Sequence, residues 1–411
     1  MPTPPNPDSD PAFFVDPAGL QQALKLLLST PPASAAAVDS LSSGLPEFGL
    51  GETATLDLLA PLILGGARRL NAPDALAHMD PPTPWIAWAT TLWNAALNQN
   101  LLHPDIAPVA RDVETRVVNW LAPYFGMDGG HMTPGSTVAN LTALWAAREV
   151  RGVRRVIASA SSHLSIAKAA HLLGLEYMAL PTDEQDRLTP ETLPPDLADA
   201  CLVLTAGTTS AGVIDPLEFA GRAAWTHVDA AWAGPLRLSD QHTAVLQGIE
   251  NADSVSVSAH KWFFQPKESA LIFFRNTAEA DPAISFGGAY LAVPNIGLLG
   301  SHGAVAVPLL ATLLAWGRTG LAERIDRAMA VAQLLHERLS AHPKIEVFGP
   351  ATTGVVLWKL ATPEATTEVF ERLPKGSISM TRLHDEAWLR NVAANPVVQF
   401  EALWKAILSV L

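Results

Sequence analysis

The sequence predicts an α/β fold: a mostly parallel sheet flanked by helices, followed by a small C-terminal α+β domain. Three observations predict it. From residue 130 onward, short apolar runs alternate with stretches at helical spacing, as βαβ units do. Residues 345–411 then mix short strands with helices. Hydrophobic residues make up 49% of the 411-residue chain and charged residues 16%, which suits a large core and excludes a disordered chain.

The elements follow in order. Residues 1–17, rich in Pro and Asp, read as a flexible tail. They lack the basic and apolar regions of a signal peptide, so none is expected. Leu20, Leu24, Leu27 and Leu28 are spaced for a helix over 18–29. Residues 30–52 are Ala-, Ser-, Gly- and Pro-rich and predict a loop. A helix over 53–65 runs to the stop Gly65-Gly66. Met79 to Pro84 is a rigid turn, and helices are expected over 85–98 and 108–122. A further helix, 138–149, opens after Gly135-Ser136. Strands are expected at 155–159, 176–180, 201–205, 224–228, 253–258 and 270–274, with a helix at 165–173. Two Ala/Leu-rich helices, 303–316 and 319–340, precede the C-terminal strands 354–360 and 389–393 and helices 363–373 and 398–410.

Acidic residues outnumber basic ones 40 to 27, a net charge of −13 that argues against nucleic acid or anionic lipid as the main partner. The single cysteine, Cys201, excludes an intrachain disulfide framework and a CxxC metal site; no metal is expected. No apolar run approaches the ~18 residues of a membrane span. A cytoplasmic protein is expected.

Ligands of doubly wound sheets bind at the C-terminal ends of the parallel strands. Four segments place polar residues there. Ser254 to Ser258 alternates with valines and runs into His260-Lys261-Trp262; Lys261 fits a Schiff-base lysine activated by desolvation, and also a surface lysine at a strand end. His227-Val-Asp229-Ala-Ala231 places a carboxylate after an apolar strand, beside small residues that let a flat ring approach. Read alone, Asp229 also fits a helix N-cap. Thr133-Pro-Gly135-Ser136-Thr137 opens an apolar helix and offers hydroxyls and free N–H groups to a phosphate, or simple capping. Asn140-Leu-Thr142 matches a glycosylation acceptor but lies inside that helix, so it is discounted. His163 could stack on an aromatic ring or be merely solvated. Together the four supply what pyridoxal 5'-phosphate requires: an imine lysine, an acid for the pyridine nitrogen, a stacking group and a phosphate cradle.

With these residues in place, the chain resembles the group II pyridoxal-phosphate-dependent amino acid decarboxylases, which include glutamate and aromatic amino acid decarboxylases. The resemblance covers roughly residues 45–405. It rests on Ser258-Ala-His260-Lys261-Trp262, His227-Val-Asp229-Ala-Ala231, Gly207-Thr208-Thr209 with Gly212 and Asp215-Pro216, and Ser162-His163 with Lys168. It implies fold type I, the aspartate-aminotransferase fold, with a seven-stranded sheet. It implies the boundaries 1–52 for a tail and arm, 53–128 for a helical segment at the dimer and substrate mouth, 129–318 for the cofactor domain and 319–411 for the small domain.

By the same resemblance, Lys261 would carry the cofactor as an imine and Asp229 would hold the pyridine nitrogen. His163 would stack on one ring face and Ala231 would pack on the other. Ser136, Thr137 and His260 would contact the phosphate, and Thr208 would lie close to the ring. Ser301 would reach the phosphate of a second subunit. Arg390 would bind the substrate α-carboxylate, as a fixed guanidinium suits. Thr83 and Trp85, in the mouth segment from His78, and Asn98 and Gln99 would face the substrate. A homodimer with shared sites and a small amino acid substrate are implied partners.

The chain departs from the family pattern in three places. It has one glycine, Gly135, before Ser136 where two are usual. It has His302 where an arginine is usual after Gly300-Ser301. Of its three tyrosines, only Tyr290 lies in the region of the acid that returns a proton to Cα. The expected reaction is decarboxylation of an L-amino acid. The alternatives are another fold type I reaction (transamination, C–C or C–S cleavage, oxidative deamination) and a cofactor-binding protein with little activity.

Overall fold

A computed structural model describes residues 13–29, 38, 41–289 and 291–411. Most of the N-terminal tail, much of the 30–52 loop and Tyr290 lie outside the described residues. The chain divides into two compact units between Arg69 and Leu70.

The first unit contains α1 (Pro17–Ser29) and α2 (Glu52–Gly66). Gln22 donates to Asp57 across the pair at 2.8 Å. Leu20, Leu24 and Leu28, whose spacing predicted α1, are exposed.

The second unit opens with α3 (Trp85–Leu97) and α4 (Ala110–Leu121). Its sheet is built from β1 (Gly129–Thr133), β2 (Arg155–Ser159), β3 (Glu176–Leu180), β4 (Ala200–Thr205), β5 (Trp225–Asp229), β6 (Ser254–Ser258) and β7 (Ala270–Phe274). The order is β1-β7-β6-β5-β4-β2-β3. β7 runs antiparallel to both β6 and β1; the pairs among β2 to β6 are parallel. The expected mostly parallel seven-stranded sheet is therefore present. α5 (Ser136–Arg151) and α6 (Leu164–Leu173) supply crossovers, and α5 packs against β5, β6 and β7.

Strands β4 to β7 are buried on both faces, as strands between helix layers are. The alternation of β6, Ser-Val-Ser-Val-Ser, suggests one wet face, yet the strand is wholly buried. Its serines are tolerated because their hydroxyls are partnered: Ser254 Oγ accepts from Trp225 Nε1 at 2.9 Å, and Ser256 Oγ donates to Asn140 Oδ1 at 2.6 Å.

After β7 come α7 (Thr277–Ala283) and a minimal hairpin, β8 (Ser285–Phe286) with β9 (Asn295–Ile296). The two helices expected at 303–316 and 319–340 are both present and meet within the helical span α8 (Ala306–Ser340). It is kinked at Gly317, where φ is 62° and ψ is −176°. The C-terminal antiparallel sheet has the order β10-β11-β13-β12, from β10 (Glu346–Phe348), β11 (Val355–Lys359), β12 (Ser379–Leu383) and β13 (Glu386–Val392). α9 (Pro363–Arg372) and α10 (Phe400–Leu408) complete it. Among the described residues no helix is long and apolar enough to cross a membrane.

Register sets the site. Thr205 pairs with Asp229, and Asp229 with Ser256, so the C-terminal ends of β4, β5 and β6 lie side by side.

Candidate active site

Lys261 follows β6 by three residues and is half-buried. Its amine makes no hydrogen bond to the described residues. Burial holds its pKa below the ordinary lysine value; Asp229 and Asp80 oppose that shift, while Lys267 and Arg390 add to it. A larger neutral fraction is the state a nucleophilic lysine needs.

Asp229 ends β5 at 4% exposure. One carboxylate oxygen accepts from the backbone N–H of Ala231 at 3.1 Å, the other from the side-chain amide of Asn140 at 2.9 Å. Ala231 is buried beside it. His163 caps α6: its Nδ1 accepts from Ser165 N–H at 3.2 Å and lies 2.8 Å from Ser165 Oγ. The residue is exposed. Partial burial lowers its pKa, against Asp229 and with Lys261 and Lys168.

α5 begins without a side-chain cap. Gly135 sits at φ 132°, a backbone that favours glycine, and a Cβ there would lie 3.9 Å from His260 Cε1. Uncapped N–H groups at a helix start attract anions. Ser136 Oγ lies 2.6 Å from Ser258 Oγ, and Thr137 is exposed. His260 is fixed by Nδ1 donating to the Ser269 carbonyl at 3.0 Å; burial, Lys267 and Lys261 bring its pKa to about 4.

Arg390, on the inner strand β13, is 6% exposed. It donates to the Ala77 carbonyl at 3.2 Å and to Ser379 Oγ at 3.3 Å, and its buried Nε has no partner. Burial lowers its pKa to about 10, opposed by Asp80. Asp80, three residues beyond Ala77, pairs with Lys267.

The structure thus brings Lys261 within electrostatic reach of His163, Asp229 and Arg390, with Ser136 and His260 at the start of α5. The other candidates make their hydrogen bonds elsewhere. Thr208 is fully buried and its hydroxyl accepts Val213 N–H at 3.1 Å, shaping its own turn. Thr83 Oγ1 accepts from Trp88 Nε1 at 2.6 Å, while Trp85 is 70% exposed. Asn98 is the left-handed C-cap of α3, and Gln99 donates to the Ile106 carbonyl at 3.1 Å. Ser301 is exposed and accepts from Asn100 at 3.1 Å.

Sequence reading missed Asn140, Ser165 and Ser256. Asn140 registered only as a glycosylation match; its fully buried amide in fact meets Asp229, His227, Ser165 and Ser256. A lone buried amide in an otherwise apolar helix face was the available signal.

Comparison with known proteins decides the family. The pyridoxal-dependent decarboxylase conserved domain matches residues 57–361. The chain belongs to this family. The decarboxylase is 32% identical over 349 residues to the L-2,4-diaminobutyrate decarboxylase of Rhizobium meliloti (strain 1021), covering 77% of this chain and 70% of that one. It is 28% identical over 336 residues to human cysteine sulfinic acid decarboxylase, covering 70% and 68%. Its fold matches the crystal structure of Oryza sativa TDC with PLP and tryptamine, at TM-score 0.87, 22% identity and coverage of 99% and 98%. The protein is a pyridoxal-phosphate-dependent amino acid decarboxylase. Its own residues fit the cofactor: an amine without a hydrogen-bond partner, a buried carboxylate and an uncapped helix start stand together.

Proposed function

We propose that Lys261 holds pyridoxal 5'-phosphate covalently and that the chain decarboxylates an L-amino acid which displaces it. The observation that carries this is the half-buried Lys261, whose amine has no hydrogen-bond partner, three residues past the end of β6 and close to the end of β5 that bears Asp229. Bound pyridoxal phosphate supplies an electron sink for the pair left when the Cα–carboxylate bond breaks. Asp229 accepts from the ring N–H. His163 covers one ring face and Ala231 the other, with Thr208 near the ring. Ser136, Thr137 and His260 hold the phosphate at the start of α5. Arg390 orients the substrate carboxylate with its free Nε. Thr83, Trp85, Asn98 and Gln99 line the substrate mouth, and Tyr290 returns a proton to Cα.

The working unit is a homodimer in which Ser301 reaches the second subunit's phosphate. Trp85, Trp88, Leu92, Trp93 and Leu97 leave α3 with an exposed apolar surface, which supports an interface there. Residues 129–318 act as the cofactor domain and 319–411 as the small domain. The acidic net charge and single buried cysteine support a cytoplasmic setting.

The test is carbon dioxide release from L-2,4-diaminobutyrate, cysteine sulfinate, aspartate and the aromatic amino acids, the substrates named by the relatives. Release from one of them, lost in Lys261→Ala, is expected. Release undiminished in Lys261→Ala contradicts the assignment.

A further inference from the structure

Beneath the site lies a closed hydrogen-bond network whose proton positions follow from donor counting. Asn140 Nδ2 has two hydrogens. One goes to Asp229 Oδ2 and one to Ser165 Oγ, both at 2.9 Å. The reversed amide would set its oxygen against a carboxylate, so this orientation is forced. Asn140 Oδ1 then accepts from Ser256 Oγ at 2.6 Å and from His227 Nε2 at 3.0 Å. His227 carries its proton on Nε2, and its Nδ1 faces Ser254 Oγ at 2.9 Å. The Ser165 backbone N–H makes His163 Nδ1 an acceptor, so the Ser165 hydroxyl, 2.8 Å away, donates to it while accepting from Asn140. With two donors aimed at it, His163 Nδ1 is unprotonated and the ring proton sits on Nε2.

We infer that Asn140 is a positioning residue that ties Asp229 to His163: through Ser165 it fixes His163 as a neutral imidazole that offers only an Nε2–H donor. Asn140, Ser165, Ser256, His227 and Ser254 are all fully buried, so no water substitutes for a missing member. Asn140 also lies one helical turn after Ser136 on α5, so one helix carries both the phosphate hydroxyl and the group that holds the acid for the ring nitrogen.

One chemical consequence follows. A neutral imidazole with only Nε2–H has no proton to give at ordinary cost, so His163 is not the acid that returns a proton to Cα. It can stack and donate a hydrogen bond. This inference rests on the proposed cofactor roles of Asp229 and His163, but the wiring itself is a property of the chain.

The test uses the full chain labelled with ¹⁵N-histidine, with and without pyridoxal phosphate, and His163→Gln to assign the signal. The expected wild-type pattern is the Nε2–H tautomer at His163 in both states. Ser165→Ala, which leaves only the backbone N–H aimed at Nδ1, should admit a detectable fraction of the Nδ1–H tautomer, and Ser165→Thr, which keeps the hydroxyl, should restore the wild-type pattern. Asn140→Leu should do the same as Ser165→Ala and also weaken pyridoxal phosphate binding by about tenfold or more, the loss of a hydrogen bond to a charged group. Where Asn140→Leu does not fold, the Ser165 pair decides. An Nδ1–H pattern in the wild type, or a pattern unmoved by Ser165→Ala, overturns the inference. Failure of the cofactor roles would show separately, as no absorbance change when pyridoxal phosphate is added.

Discussion

Lys261 can attack a carbonyl carbon only as a neutral amine, and its surroundings are built to raise that fraction. Burial lowers its pKa, and Lys267 and Arg390 push the same way, while Asp229 and Asp80 favour the charged form and oppose the shift. Cofactor capture by the cofactor-free chain should therefore rise with pH through a midpoint below that of an ordinary lysine. Asp80→Asn, which removes one opposing charge, should move the midpoint lower still. Stopped-flow absorbance across pH reads this; a midpoint at or above the ordinary lysine value contradicts it. Arg390 gives a second residue-scale expectation. Arg390→Met leaves the substrate carboxylate without its donor, so KM should rise by about tenfold or more. Steady-state kinetics test it, and an unchanged KM removes Arg390 from substrate binding. Lys261, Asp229 and His163 stood out as candidates in the sequence because Asp229 closes an apolar strand and the other two follow one within four residues. Asn140 was not, because the partners that reveal it lie 25 to 116 positions away in the chain.

At the scale of elements, what the sequence showed and hid follows from burial. The inner strands β2, β4, β5, β6 and β7 are apolar or alternating runs and were readable, as were the helices with Leu or Ala at helical spacing. Strand β1, Gly-Gly-His-Met-Thr, has no strand signature and is held by its antiparallel ladder to β7. Strands β10 and β12 are short or polar and are held by their neighbours, β10 by pairing with β11 and β12 by a tight hairpin to β13 in which Leu383 faces Glu386. The break expected between the last two long helices falls at Gly317, whose non-helical backbone separates them. At φ 62° and ψ −176° only glycine is comfortable, and a Cβ there meets nothing within 4 Å, so backbone strain alone sets the cost of replacing it. Gly317→Ala should lower stability by about 1–3 kcal/mol in urea unfolding. No loss would mean that the kink relaxes at no cost.

For the whole molecule, buried histidines couple stability to pH. Burial holds His131 near a pKa of about 4, against 6.5 for an ordinary histidine, and nearby His302 adds to the shift. A base with a depressed folded pKa contributes stability above the unfolded value and loses it as pH falls through the folded one. His131→Gln, which cannot titrate, should therefore gain on the wild type as pH falls from 6.5 toward 4. Thermal melts of both proteins across that window test this; a constant difference in Tm contradicts it. Assembly belongs to the same scale. The exposed tryptophans of α3 lead to the expectation of a stable dimer in light scattering, and Trp93→Glu, a charge in that surface, should shift the population to monomer. A wild-type monomer that binds the cofactor fully would refute the shared site.

The central claim is that Lys261 holds the cofactor for amino acid decarboxylation. The most direct measurement is the absorbance of the purified chain with added pyridoxal phosphate, wild type beside Lys261→Ala, with carbon dioxide release followed in the same samples. The account expects a spectral change and carbon dioxide from one L-amino acid in the wild type, and neither in the variant. The same spectrum and the same carbon dioxide release from both proteins would contradict it.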